Sequence, residues 1–517
     1  MPSVASSRRL VAPRGGLSVR VWCALLAVAA GLQIALVAVY YWPEPKALVG
    51  DEPIYLESAR AIAEGESDPE PMRAPLYARL LALLGVSAAH RWPIQALQLG
   101  VLLLTAALLR WLTRRLTGSA LAADLAAALV LLYPTLGAYA LYLWPEILHI
   151  GLWVGSFTIL ASGRRHPAWL GAAGLLVALA LLARHLLLGF LPLLLGAVWV
   201  AERRRGQSPA AAVRSLLWLA APIALLVTPV LAADRLDDGR LRASSNAQFN
   251  LWVGLNDPSP WRQPEPIVYP EYLDYLASAD TPTERDRRLA EKTNRLLAER
   301  GWLAIVGEQL GKQYFRLFDH RSFFGQQLPG GALHGDRRGY RGPGPLATAL
   351  LRWLDHSVYG LLLVAFAWGL WRAPYRRSIW LVVALAFLAY NLVLFLGLHA
   401  KSRYLLQLVP FMIPFAALGL AGWIDGPRLE PGRRLAATLL SAFLLWLAFG
   451  PSWLGSAAPT PAAGAAAQTP SSPPVPSGSL LAGSSEAPAE LSPGPLAFAL
   501  KTGVKRSLTP SIEIDSM

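Results

Sequence analysis

The chain of 517 residues has a single cysteine, Cys23, which excludes intramolecular disulfides and a thiolate metal cluster. Cys23 lies inside the first apolar run and reads as a packing residue. Negative charge is scarce too: 33 Asp and Glu against 47 Lys and Arg leave a net charge of +14. In a soluble chain that surplus would suggest nucleic acid, but no basic stretch is interleaved with aromatics as a stacking platform requires. Charged residues make up only 15% of the chain and apolar ones 54%, with a mean hydropathy of +0.39. A soluble protein of this size is thereby excluded. Also lacking is a small-residue cleavage site after the first apolar run. That run follows Arg8, Arg9, Arg14 and Arg20 as a signal sequence would, yet continues to Tyr40, Tyr41 and Trp42. It is expected to be an uncleaved anchor.

What is present is a series of apolar runs, each long enough to cross a bilayer. After a cytoplasmic segment 1–18, the spacing predicts spans at 19–41, 93–111, 119–143 and 147–162. Two short spans are expected in 168–200, meeting at Arg184 and His185. Further spans follow at 214–233, 353–371, 379–398, 404–424 and 435–453, giving an all-α polytopic membrane domain of about eleven transmembrane helices over 19–453. Two stretches interrupt it. Residues 43–91 form a first external loop with two amphipathic interfacial helices, one after Pro53 and one over 75–84. Residues 234–352 form a larger irregular external loop with helices over 283–300 and 302–318. The tail 454–517 is rich in Ala, Pro, Ser and Gly and is expected to be disordered. Arginine clusters at 8–20, 110–115, 164–165, 203–205, 372–377 and 428–434 fall on alternate connections, so they share the cytoplasmic side.

This alternation brings a second set of polar residues to the opposite face. Asp51 and Glu52 open the helix that Pro53 starts, beside the positive end of its dipole. Asp51 there is either an N-cap or a proton acceptor. At the same level lie Tyr55, Arg73, Glu146, Arg184, His399, Lys401, Arg403 and Tyr404. Charges at span ends are costly unless used or paired, which makes the cluster a candidate site. A carboxylate beside guanidinium and ammonium groups suits displacement at a carbon bearing a phosphate leaving group: the carboxylate takes the acceptor proton while the cations receive the developing phosphate charge. Arg fits phosphate with a bidentate fork. The competing readings are a snorkelling anchor for Arg403 and Lys401, an interfacial residue for Arg73, and a helix cap for Glu146. His149, His185 and His356 read as structural histidines, and Lys312 and Arg316 as lining a wet membrane surface. No metal-ligand spacing is present, although Asp51 and Glu52 side by side could hold a divalent ion, and no other cofactor is implied.

Several of these residues sit in motifs. Gly50-Asp51-Glu52-Pro53-Ile54-Tyr55 resembles the aspartate-glutamate motif in the first external loop of GT-C glycosyltransferases. Arg73-Ala74-Pro75-Leu76-Tyr77, Trp144-Pro145-Glu146, Asn250-Leu251-Trp252-Val253-Gly254-Leu255-Asn256-Asp257-Pro258 and Ser402-Arg403-Tyr404-Leu405 with Pro410 and Pro414 are similar to the elements that follow it, in the same order. The likeness covers about residues 19–425 and is to the protein O-mannosyltransferases and aminoarabinose transferases, which use polyprenyl-phosphate sugars. It implies a GT-C fold and Asp51 as base or acceptor-orienting carboxylate, with Glu52 supporting it as the second catalytic carboxylate. Arg73, Arg403 and Lys401 would then contact the donor phosphate, and Tyr55, Glu146, Arg184, His399 and Tyr404 would contact substrate.

The expected function is transfer of a sugar from a polyprenyl-phosphate carrier to a hydroxyl on a lipid, glycan or protein. It would take place at the outer face of the bacterial plasma membrane, with inversion at the anomeric carbon. The alternatives are an envelope glycan polymerase or ligase, a polytopic lipid or solute transporter, and a non-catalytic envelope scaffold. A transporter is expected to show internal repeats and polar residues near mid-span; neither is evident.

Overall fold

The structure is a computed structural model, and it describes residues 15–66, 73–164, 166–233, 245–256, 271, 274–275, 277–279, 282–331 and 339–453. The tail 454–517 and the N-terminal arginines before residue 15 lie outside the described residues, as does Arg165.

Among the described residues the secondary structure is helical throughout. Seven helices are long and apolar enough to cross a membrane and four shorter apolar helices accompany them, which together make the expected eleven. The order is α1 (Val19–Tyr41), α2 (Glu52–Ala63), α3 (Pro75–Leu83), α4 (Trp92–Thr117), α5 (Ala120–Leu132), α6 (Pro134–Tyr139), α7 (Glu146–Ser162) and α8 (Pro167–Ala183). A 3-10 turn over His185–Phe190 leads into α9 (Leu191–Arg204), then α10 (Pro209–Ala233), α11 (Ser245–Asn256), α12 (Pro282–Arg300), α13 (Trp302–Leu317) and α14 (Phe323–Gln327). The chain closes with α15 (Pro345–Arg372), α16 (Ile379–Gly397), α17 (Ser402–Leu405), α18 (Val409–Ile424) and α19 (Pro431–Trp453).

Most boundaries follow local chemistry. Ser18 and Ser119 cap α1 and α5 through their hydroxyls, and Gly118 ends α4 in the left-handed conformation. The break expected at Arg184 and His185 is present. The span expected over 119–143 is a correction: α5 stops at Leu132 because Pro134 supplies no amide to continue it. The chain then runs as one short helix and an irregular stretch, all of it buried. Non-helical backbone at this depth needs protein partners. Gln95 and Gln98 of α4 provide them, donating to the carbonyls of Leu141 (2.6 Å) and of Ala140 (3.1 Å) and Tyr142 (2.8 Å). The span expected from 404 likewise divides into α17 and α18, ahead of Pro410.

The interior of the bundle is aromatic, with Trp153, Phe157, Phe190, Phe387 and Phe411 in mutual contact. Helix backbones approach closely where side chains are smallest: a Cβ at Gly369 would collide with the Phe415 carbonyl, and one at Gly419 with that of Ala365. Small residues at crossings are how helices pack where lipid removes the hydrophobic drive. The outer faces keep large apolar side chains exposed, such as Leu26, Ile34, Leu103, Leu225 and Val393, as a hydrocarbon solvent allows. Cys23 is exposed on α1 and does not pack in the core, contrary to its reading from sequence.

Candidate functional site

Five segments distant in sequence meet at one end of the bundle: the start of α2, the approach to α3, the irregular stretch before α7, the α8 terminus and α17. Asp51 occupies the N-cap position of α2, but its side chain makes no capping bond. One carboxylate oxygen instead accepts from Arg73 Nη2 at 3.2 Å and the other from Arg403 Nη1 at 2.8 Å. The side chain keeps 24% exposure, so it is recessed yet reachable. Burial pushes its pKa up, but the Arg73 and Arg403 charges outweigh burial and hold the carboxyl well below the usual carboxylate range. For Arg403, burial favours the neutral form while Asp51 reverses that, leaving the guanidinium more firmly charged than usual.

Both arginines are positioned by aromatic rings. Arg73 lies over Tyr55 (5.2 Å to the centroid), and Arg403 lies over Trp144 (5.4 Å) and Tyr404 (5.3 Å). Trp144 packs in turn on Phe323 (4.7 Å), and Tyr404 stacks on Phe395 at 5.4 Å. Glu146, buried at the start of α7, is ion-paired through Oε1 with Arg184, whose guanidinium lies 5.6 Å from the Tyr404 centroid. Glu146 Oε2 is buried without a hydrogen-bond partner. Burial raises the Tyr404 phenol, yet Arg403, Lys401 and Arg184 together bring it below its ordinary value. Lys401, the N-cap residue of α17, is thereby placed beside this cluster.

Glu52 has separate partners. It is fully buried and accepts from Lys46 Nζ at 3.2 Å, from Val49 N at 2.8 Å and from Leu143 N at 2.9 Å. Its carboxylate joins the Asp51 loop to the stretch carrying Trp144. The two adjacent carboxylates therefore do not converge as a shared ion-binding pair. Among the described residues no group of three or more His, Cys, Asp or Glu gathers as a metal site.

The wall behind Arg403 comes from the large loop. His399 N donates to the Asn250 carbonyl (3.0 Å), and Ala400 N donates to Gln313 Oε1 (3.0 Å). Gln309 and Gln313 of α13 donate to the Gly254 carbonyl at 2.8 and 3.1 Å. A Cβ at Gly254 would lie 2.5 Å from the Gly397 carbonyl and 2.6 Å from His399 N, which explains glycine in the 250–258 motif, whose Asp257 and Pro258 lie outside the described residues. His399 is kept neutral, first by burial and then by the charges of Lys401, Arg316, Arg403 and Lys312. Lys312 and Arg316 are buried, where a wet surface position was expected.

Sequence reasoning singled out neither Lys46 nor Arg91, which bind Glu52, Tyr40 and the Lys46 carbonyl beneath the site. It also passed over Tyr139 and Asp355. The available signal was a charged residue inside an apolar setting, as at Asp355 in α15, where Thr135 and Ser322 donate to its carboxylate. His149, read from sequence as a structural histidine, donates from Nδ1 to the Ala180 carbonyl at 2.9 Å, while its Nε2 is buried without a partner.

No protein-family model matches the chain, and no curated protein matches it. Among solved structures it is similar to the archaeal oligosaccharyltransferase AglB from Archaeoglobus fulgidus, in complex with an inhibitory peptide and a dolichol-phosphate. The identity is 14% and the TM-score 0.44, over 84% of this chain and 56% of that one. This chain therefore spans little more than half the length of that protein. It is also similar to ArnT from Cupriavidus metallidurans bound to undecaprenyl phosphate, with 15% identity and a TM-score of 0.34, over 84% of this chain and 89% of that one. By its own geometry the chain is a polytopic all-α protein with an arginine-held carboxylate at one end of the bundle.

Proposed function

We propose that the chain is a GT-C type glycosyltransferase that moves a sugar from a polyprenyl-phosphate carrier to an acceptor hydroxyl at the outer face of the plasma membrane. The observation that carries this reading is Asp51 held between Arg73 and Arg403. A carboxylate so placed is a weak base at rest, because two guanidinium groups stabilise its charge. A donor phosphate entering the site competes for the same N–H groups, and Arg can bind it through a bidentate fork. As the arginines turn to phosphate, Asp51 loses their stabilisation and becomes basic enough to act. The acceptor hydroxyl gives its proton to Asp51 and its oxygen bonds to the anomeric carbon. The carbon–oxygen bond to phosphate breaks, and the electron pair leaves on polyprenyl phosphate. Attack opposite the leaving group inverts the anomeric centre. Glu146, held by Arg184, offers Oε2 to a sugar hydroxyl, and Lys401 adds positive charge for the phosphate.

The test is Asp51→Asn in purified protein, assayed for transfer from a panel of undecaprenyl-phosphate sugars. The amide cannot take the proton, so transfer is expected to fall by about 100–10,000-fold, the usual range for general-base catalysis. Loss of the charge between Arg73 and Arg403 should also lower the melting temperature in detergent, so transfer is compared at equal amounts of folded protein, where the fall should persist. Wild-type transfer by the variant would sink the reading.

A further inference from the structure

Beginning just after the segment that bears Arg403, α18 runs 16 residues to Ile424, so its C-terminus lies at the end of the bundle away from Asp51. There the segments 371–377 and 423–434 carry six arginines against two acids, Asp425 and Glu430. We propose that this edge, between the ends of α15 and α18 and the start of α19, is a binding site for an anionic phospholipid. The lipid phosphate lies among Arg372, Arg376, Arg377 and Arg428, and its chains run over the apolar side chains beside them. The proposal goes beyond the transferase reading and does not depend on it.

The two segments are held together. The Arg372 guanidinium lies against the backbone of Gly422 and Gly426, where a Cβ at Gly422 would meet its Nε at 2.5 Å. Its Nη1 donates to the Pro427 carbonyl at 3.0 Å, while its Nε is buried without a partner. The turn after α15 is pinned as well. The Tyr375 hydroxyl donates to the Leu370 carbonyl at 2.8 Å, and Arg377 N to the Pro374 carbonyl at 2.9 Å. Arg376, Arg377 and Arg428 stay exposed. Of the six arginines only Arg433 has a carboxylate within ion-pair distance among the described residues, Glu430 at 3.8 Å. Arginines at other helix ends are more fully spent: Arg110 is paired with Asp124 and Arg205 with Glu202, and Arg203 donates to the Gln207 carbonyl. Guanidinium groups left unpaired at one place suit a phosphate, which Arg holds with a bidentate fork. Their border selects a lipid over a soluble phosphate. Trp368 and Trp423 pack with ring centroids 5.8 Å apart, and Trp371, Trp423, Ile424 and Leu435 are exposed next to the arginines. An amphiphile matches cations set against an apolar edge, and basic recesses between helix ends are where anionic head groups bind.

The experiment uses full-length protein in detergent, with binding of phosphatidylglycerol and phosphatidylcholine read by native mass spectrometry at equal amounts of folded protein. Wild type should prefer phosphatidylglycerol by about tenfold or more, since each basic residue near an anionic surface is worth about fivefold in binding. The combined variant Arg376→Gln, Arg377→Gln, Arg428→Gln should lose that preference. The same three changes made instead at Arg114, Arg115 and Arg204, which are exposed at other helix ends, should leave it intact. Glycerol 3-phosphate, a phosphate without chains, should not displace the lipid at equal concentration. Absence of the preference in wild type, or its survival in the first variant, would overturn the proposal. Equal loss in both variants would do so too, because net charge alone would then account for binding. Displacement by glycerol 3-phosphate would assign the edge to a soluble phosphate and likewise overturn it.

Discussion

Two neighbouring carboxylates have opposite environments because of where their oxygens go. Asp51 retains solvent access and bonds only to arginine side chains. Glu52 is closed in and joins two backbone amides and a buried lysine. Removing one partner of a buried ion pair leaves the other charge uncompensated, at about 3–5 kcal/mol. Glu52→Gln is thus expected to lower thermal stability in detergent, with loss of transfer only in proportion to unfolded protein. A stable Glu52→Gln protein with abolished transfer would make Glu52 catalytic instead. Arg403→Ala should cost about 100–1000-fold in rate, as for one oxyanion donor, and Arg403→Lys should recover part of it. His399 gives the pH dependence. Its folded pKa is depressed by burial and neighbouring cations, so the unfolded chain binds the extra proton first. The stability it contributes is fully present above about 6.5, the unfolded value, and declines as pH falls below it. Melting temperature should drop between pH 7.5 and 5, and His399→Gln should flatten that slope.

At the scale of elements, local pattern carried most of the information. The helices around 283–300 and 302–318, the α8–α9 break and the two helices of the 43–91 loop all follow from periodicity, proline and charge. The interruption at Pro134 did not, because the residues after it remain apolar and only Gln95 and Gln98, some forty residues earlier, make the irregular stretch tolerable. The candidate site was legible as residue types in order. Which carboxylate would be open and which buried was not, since Lys46 and Leu143 are chosen by packing rather than spacing. The 250–258 motif is the clearest case of a pattern whose reason appears only in three dimensions. Gly254 lets α11 lie against the backbone of 397–399. Gly254→Ala inserts a methyl where only backbone can yield, a change costing about 1–3 kcal/mol. Expected is reduced transfer with normal membrane insertion, and a lower melting temperature. Unchanged values for both would show that the contact does not hold the wall in place.

The whole molecule has two unlike ends. Arg114, Arg115, Arg203, Arg204, Arg376 and Arg377 are exposed at one, whereas Arg73, Arg184, Arg316 and Arg403 at the other are recessed. Helix ends at the exposed-arginine end are tied together there: Arg110 to Asp124 at 2.8 Å, Leu17 N to the same carboxylate at 2.8 Å, and Arg372 to the Pro427 carbonyl at 3.0 Å. Cytoplasmic loops carry the excess of Lys and Arg. The recessed arginines do not disturb that count, because aromatic rings and carboxylates hold them inside the bundle. The exposed set alone supports the proposed orientation, in which Asp51 faces outward and a lipid-linked sugar on the outer leaflet would meet it. Reporter fusions after Gly118, Arg205 and Pro427 should read cytoplasmic, and a fusion after Glu291 in α12 should read external. A reading with all four reversed would keep the bundle but turn Asp51 toward the cytoplasm, and the outer-face reaction would have to be abandoned. An external signal at Arg205 alone would break the alternation between α9 and α10, and with it the inference that the large loop shares a side with Asp51.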